Sequence, residues 1–235
     1  MAHASDDPHS LDYHLQELRQ RLKYSVVVFA VTAIGGFLVS GRVLSWLQRD
    51  LVIPLNAFVP YEALYTQVMI ALLIGVIVAV PVLLFEVLRF AKPGLRDQEY
   101  RTVRNFLPFS YILFLGGSVF AYEFIATNAL QFFQSFTASA DVASVWGLQA
   151  TISFVLRISA LTGALFQLPV IAAVLGMAGL LTSEQMRRYR SHFIVAILVV
   201  AAVATPPDVL TQVLIVGPVI GLYQVSIWLV GRIED

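Results

Sequence analysis

Residues 152–181 read ISFVLRISALTGALFQLPVIAAVLGMAGLL, thirty positions that are almost all apolar. As a helix this stretch extends about 45 Å, enough to cross a hydrocarbon layer of about 30 Å with tilt. Two polar groups interrupt it, Arg157 and Gln167. A guanidinium at mid-membrane costs about 2.5–3.5 kcal/mol on insertion scales, so such groups are turned towards other helices or water. Pro169 removes a backbone donor and bends the helix, freeing a carbonyl near Gln167. The stretch predicts a membrane helix that forms one wall of a polar cavity, with Arg157 and Gln167 as its intramembrane polar residues.

Composition sets the same solvent for the rest. Of 235 residues, 58% are hydrophobic and 13% charged, against about 25% charged in soluble domains. A core of this size cannot hide that much apolar surface, so lipid must cover it. With no cysteine, disulfides, thiol chemistry and Cys-ligated metals are excluded. Val26–Val39 has the length of a signal-peptide core and follows Arg19, Arg21 and Lys23. However, Asp6, Asp7, Asp12 and Glu17 precede it and no small-x-small cleavage site follows, so it reads as a membrane span.

Working outward from residues 152–181, the chain reads as one membrane domain over residues 1–235. Residues 1–9 are a polar, flexible tail. Ser10 is a plausible N-cap, and Leu11, Leu15, Leu18 and Leu22 form the apolar stripe of an amphipathic lead-in. Spans follow at Tyr24–Val39, Thr66–Phe85, Phe106–Ile125, Ile152–Leu181, Phe193–Ala204 and Val209–Val230. Ser40–Tyr65 is a connection with helical pieces, Glu86–Asn105 a compact charged loop and Thr127–Gln149 a polar, aromatic-bearing loop. Thr182 with Gln185 matches a capping box that starts a new helix. Thr205-Pro206-Pro207-Asp208 is a hard stop after a short fifth span, about 18 Å of apolar rise.

Basic residues set the expected orientation. Arg19, Arg21, Lys23, Arg89, Lys92, Arg96, Arg101, Arg104, Arg187, Arg188, Arg190 and Arg232 fall on the side that holds both termini. Only Arg42 and Arg49 fall opposite. The positive-inside rule then puts both termini in the cytoplasm, which requires an even number of spans.

Several carboxylates invite two readings each. Glu17, in HLQELRQR, is either an i,i+4 partner of Arg21 or an interfacial acceptor for a cationic ligand. The loop FAKPGLRDQEYR (Phe90–Arg101) is either a solvated topology signal or a carboxylate platform. Asp97 and Glu99 are odd choices for a purely positive loop, and a carboxylate pairs bidentately with arginine. Glu86 and Glu123 lie near span ends, where snorkelling explains them, and Asp208 is placed to cap the sixth span. No metalloprotease helix, phosphate loop or Ser-His-Asp set is present, so no catalytic, metal or cofactor role is expected. Nor is nucleic acid an expected partner. A small-solute transporter using Arg157, Gln167 and Glu86 along a path remains an alternative.

Four stretches together resemble TatC, the core membrane subunit of the twin-arginine protein translocase. They are HLQELRQRL (His14–Leu22), Phe90–Arg101, FQLPV (Phe166–Val170) and ATPPDVLTQ (Ala204–Gln212), and their order and six-span setting cover nearly the whole chain. The resemblance implies a concave, glove-like all-α bundle of six transmembrane helices with cytoplasmic termini, in the cell membrane and without catalytic chemistry. Its implied ligands are the signal peptides of folded export substrates. Its implied partners are single-span TatA-type subunits, TatB-type in some organisms, and further copies of itself, with transport driven by the proton-motive force. By the same resemblance Glu17 and Glu99 contact the signal peptide's arginine pair. Arg19, Phe90 and Pro93 belong to the same binding region, and Pro206, Pro207, Asp208 and Gln212 to the docking site of small partners. Two positions depart from the family pattern. Gln167 stands where glutamate is common, and Tyr100 separates Glu99 from Arg101.

Overall fold

The structure, a computed structural model, describes residues 11–51, 54–92, 96–139, 145–205 and 208–234. Helix α1 runs Leu11–Asp50, α2 Glu62–Ala91 and α3 Asp97–Phe120. A π-helical segment, Ala121–Ala126, carries α3 into α4, Thr127–Ser139. Then come α5 (Leu148–Leu165), α6 (Leu168–Met177), α7 (Ser183–Arg188), α8 (Arg190–Ala204) and α9 (Val209–Glu234). Two short strands, β1 (Leu55–Asn56) and β2 (Trp146–Gly147), pair in parallel. Among the described residues five helical runs are long and apolar enough to cross a membrane, and Arg190–Val203 is a shorter sixth. The expected six-helix, all-α membrane bundle is therefore the architecture found.

The bundle is apolar outside as well as inside, as a lipid solvent requires. Leu38 and Val203 are 84% and 83% exposed, while Ile125, Ile158, Ile215 and Val219 are fully buried where the π segment meets α5 and α9. Helices in lipid gain little by burying leucines against each other, and close backbone approach on small residues holds them instead. At the α1–α2 crossing, a Cβ on Gly75 would sit 2.8 Å from the Ala33 Cβ, and one on Gly36 would sit 3.0 Å from the Ala71 carbonyl oxygen. Gly117 and Gly163 let α3 and α5 meet the same way, against Phe166 and Phe114 respectively.

The expected charged loop Glu86–Asn105 is mostly helix: α2 runs to Ala91 and α3 starts at Asp97, leaving only residues 92–96 between them. Three further boundaries differ from the expectation. First, α1 does not end at Val39 but continues eleven residues to Asp50. Nothing in Ser40–Asp50 breaks a helix, and Leu44 and Leu47 pack with Ile70, Leu148 and Ile152. Second, half of the expected Thr127–Gln149 loop is helical. The hydroxyl of Thr127 and the amide of Asn128 donate to the Tyr122 and Phe124 carbonyls of the π segment, and the Thr137 hydroxyl to the Phe133 carbonyl of α4, while Leu130 is buried beside Val155. Third, residues 152–181 are not one helix. The chain breaks at Phe166-Gln167, where Gln167 N–H donates to the Ala164 carbonyl at 3.0 Å, a tighter turn than an α-helix makes. Pro169 lies in the first turn of α6, the position that tolerates its missing N–H.

Thr182 starts α7 as the capping box predicts: its hydroxyl accepts from Gln185 N–H at 3.2 Å, and its own N–H donates to the Gln185 side chain at 3.0 Å.

Candidate functional site

One end of the bundle gathers the start of α1, the end of α2, the start of α3, α7 and the end of α9. Among the described residues at this end, Arg19, Lys23, Arg89, Lys92, Arg96, Arg101, Arg104, Arg187, Arg188, Arg190 and Arg232 are exposed. Set within this cationic rim is a buried carboxylate, Glu86 of α2, 8% exposed. Its Oε2 accepts from Arg21 Nη1 at 3.1 Å and its Oε1 from Arg89 Nη1 at 3.4 Å. Glu86 is therefore not a snorkelling side chain; it pins α1 against the end of α2. Glu17 lies one helical turn before Arg21 on α1, with its side chain outside those described.

Six residues beyond α2, α3 begins at Asp97. Glu99 occupies its first turn, half-exposed, and its Oε2 accepts from Arg96 N–H at 2.7 Å. This carboxylate caps its own helix, where the helix dipole also favours a negative charge. The cap occupies one oxygen and holds the side chain in place. Tyr100, the departure from the family pattern, receives Lys92 over its ring at 5.4 Å and so ties the loop's two ends together. The side chain of Phe90, and Pro93, Pro206 and Pro207, lie outside the described residues.

Deeper in the bundle, Gln167 is 5% exposed and both ends of its amide are taken by one residue of α3. Its Nε2 donates to the Ser110 carbonyl at 3.0 Å, and its Oε1 accepts from the Ser110 hydroxyl. The expected wall of an open polar cavity is thus a closed clamp between α3 and α6. Arg157 does not join it: its side chain is exposed on α5, between the buried Leu156 and Ile158. With Glu86 ion-paired at the rim, these three groups form no polar path, and the transporter reading is not supported. Ser110→Ala leaves the Gln167 oxygen buried without its donor, so a loss of about 1–3 kcal/mol is expected. Thermal unfolding in detergent measures it. Gln167→Glu preserves both bonds only while protonated, because an ionised carboxylate has no donor for the Ser110 carbonyl.

At the opposite end, Asp208 accepts from Thr211 N–H at 2.6 Å and so caps α9. Gln212, one residue on, is half-buried. Glu123 is exposed on the π segment. This end also holds a group that sequence reading missed. Glu62, 4% exposed at the head of α2, accepts from Phe58 N–H at 2.7 Å, Val59 N–H at 3.4 Å and Gln149 N–H at 2.7 Å. An acidic residue in the first turn after Pro60 was the only local signal; the Gln149 bond, 87 positions away in sequence, had none.

Among the described residues no group of three or more metal-ligating side chains converges.

A family model described as "TatC: Sec-independent protein translocase protein (TatC)" matches residues 13–218. The "Sec-independent protein translocase protein TatC" of Listeria innocua is 35% identical over 225 residues, covering 94% of this chain and 91% of the relative. "Sec-independent protein translocase protein TatCy" of Bacillus subtilis is 32% identical, covering 93% of this chain and 87% of its own length. A solved structure, "Crystal Structure of Twin Arginine Translocase Receptor- TatC", superposes with a TM-score of 0.83 at 32% identity, covering 94% of this chain and all of the other.

Proposed function

This chain belongs to the TatC family of Sec-independent protein translocase proteins, and from that premise we propose that its cationic rim receives twin-arginine signal peptides through Glu17 and Glu99. It is the receptor subunit of the twin-arginine translocase, a protein-transport component rather than a catalytic enzyme.

The observation that supports the site is the Arg21–Glu86 bridge. It fixes the α1 turn that carries Glu17 beside the end of α2, and the loop from that end leads directly to Glu99. Two guanidinium groups entering there find the carboxylates of Glu17 and Glu99 in a rim crowded with cations, where Glu86 is already ion-paired. Arginine suits such a site better than lysine, because its planar fork bonds both oxygens of a carboxylate while an ammonium acts as a point charge. Arg19, Phe90 and Pro93 shape the surroundings. Asp208, Pro206, Pro207 and Gln212, at the other end, serve single-span partners of TatA or TatB type. The chain then sits in the cytoplasmic membrane with both termini inside, works as a homo-oligomer and uses the proton-motive force. The signal peptide's apolar segment packs along the bundle rather than into an open path at Gln167.

Affinity purification of the full chain from native membranes tests this assembly. A twin-arginine precursor and a single-span amphipathic subunit are expected to co-purify. Recovery of neither, from membranes that contain both, contradicts the proposal.

A further inference from the structure

Between α6, α7, α8 and α9 runs a groove of about 580 Å³, lined by Leu168, Ile171, Leu175, Tyr189, Phe193 and Tyr223 among others. No carboxylate is among its lining residues. In a bilayer an open apolar groove of this kind fills with hydrocarbon. Its volume is that of a small-molecule site, a few hundred to about 1,000 Å³.

The groove has a charged mouth. At the end where α7 lies, Arg187, Arg188 and Arg190 are exposed. Arg188 sits 6.0 Å over the Tyr189 ring, and Tyr189 packs edge-on to His192 at 5.7 Å. Both rings line the groove. On α9, Arg232 lies 5.4 Å over Trp228, an aromatic–cation pair of the kind found at the membrane–water boundary. The arginines are therefore at headgroup depth, with the apolar groove beneath them. Of the carboxylates nearby, Glu234 accepts from the N–H of Ser183 at 2.9 Å and its hydroxyl at 2.6 Å and also feels the charge of Arg187, and Glu184 is exposed.

We infer that this groove holds an acyl chain of an anionic phospholipid whose phosphate is received by Arg187, Arg188 and Arg190. The apolar walls supply general lipid affinity, and the arginines supply the preference for negative charge, roughly fivefold per cation at a membrane surface. The site is separate from Glu17 and Glu99, which lie on the α1–α3 side. It does not depend on the signal-peptide assignment.

Native mass spectrometry of the purified full chain tests it, with phosphatidylglycerol or phosphatidylcholine of identical acyl chains added. Phosphatidylglycerol is expected to be retained at least about tenfold better, three cations at about fivefold each setting an upper bound of about a hundredfold. The variant R187Q/R188Q/R190Q should bring the two lipids near parity. Ala196→Trp, which fills the groove and leaves the arginines in place, should reduce phosphatidylglycerol retention as well. Arg187, Arg188, Arg190 and Ala196 are all exposed, so melting temperatures in phosphatidylcholine should stay close to that of the unaltered chain. Equal retention of both lipids by the unaltered chain overturns the inference without reference to any variant. So does an anionic preference that survives Ala196→Trp, which marks diffuse binding along the rim. A protein helix crosslinked to position 196 in native membranes, with lipid retention unchanged by the arginine variant, also overturns it.

Discussion

Replacing Glu17 and Glu99 together with glutamine is expected to abolish measurable binding of a twin-arginine signal peptide, and each single change to weaken it by about tenfold or more. Hydrogen bonds to charged groups contribute about 1.5–3 kcal/mol each, and two such contacts carry most of the specificity proposed for this rim. The choice of glutamine matters at position 99. Glu99 accepts from Arg96 N–H through one oxygen, and a glutamine carbonyl keeps that cap while removing the negative charge. Glu99→Ala removes both, so α3 loses about 0.5–2 kcal/mol of capping in addition. If Glu99→Gln weakens the peptide as much as Glu99→Ala, charge is what binds. If only the alanine variant binds poorly, the helix start is what matters, and the paired-carboxylate account fails. Fluorescence anisotropy of a labelled peptide against the purified chain separates these cases, and a twin-lysine peptide should bind the unaltered chain more weakly.

Glu62→Ala carries the largest expected structural cost. It strips an acceptor from three backbone N–H groups that join residues 58–59 to Gln149. Hydrogen bonds to a charged acceptor contribute about 1.5–3 kcal/mol each, and because these three are part-buried and not additive the total expected is about 2–5 kcal/mol. Near the same end, β1 and β2 make a two-residue bridge, Tyr122 donates to Asp50, and Leu51, Leu55 and Trp146 pack against the core. Thermal unfolding should come earlier, and proteolysis should favour the connections around residues 51–61 and 140–147. Signal-peptide affinity should barely change, since the proposed site lies at the other end. Wild-type stability in Glu62→Ala shows that the carboxylate is not what holds these connections.

The spans and their stops were readable because membrane burial writes long apolar runs into the sequence, and Thr182, Pro169 and Asp208 punctuate them locally. What could not be read was direction. The run around Arg157 is apolar on every side, and a helix without an apolar stripe does not reveal which face meets its neighbours; Arg157 was expected inward and is exposed. Contacts between distant positions were equally silent. Gln167 looked like an open polar group because Ser110 lies 57 residues away, and Glu86 looked like a snorkelling side chain because Arg21 lies 65 away. Helix ends were misjudged where polar residues bond back to the preceding π segment, as at Thr127 and Asn128. The motifs that carry the family likeness were legible, and the bonds that set Glu99 and Gln167 in place were not.

The central claim is that one rim, formed by α1 and the start of α3, grips the signal peptide's two arginines. Site-specific photo-crosslinking tests it most directly, with a photoreactive residue placed next to the arginine pair of a precursor and the adducts mapped on this chain. Adducts at both the α1 turn around Glu17 and the first turn of α3 around Glu99 are the predicted result. Adducts confined to the α6–α9 groove or to the end that holds Glu62 contradict it.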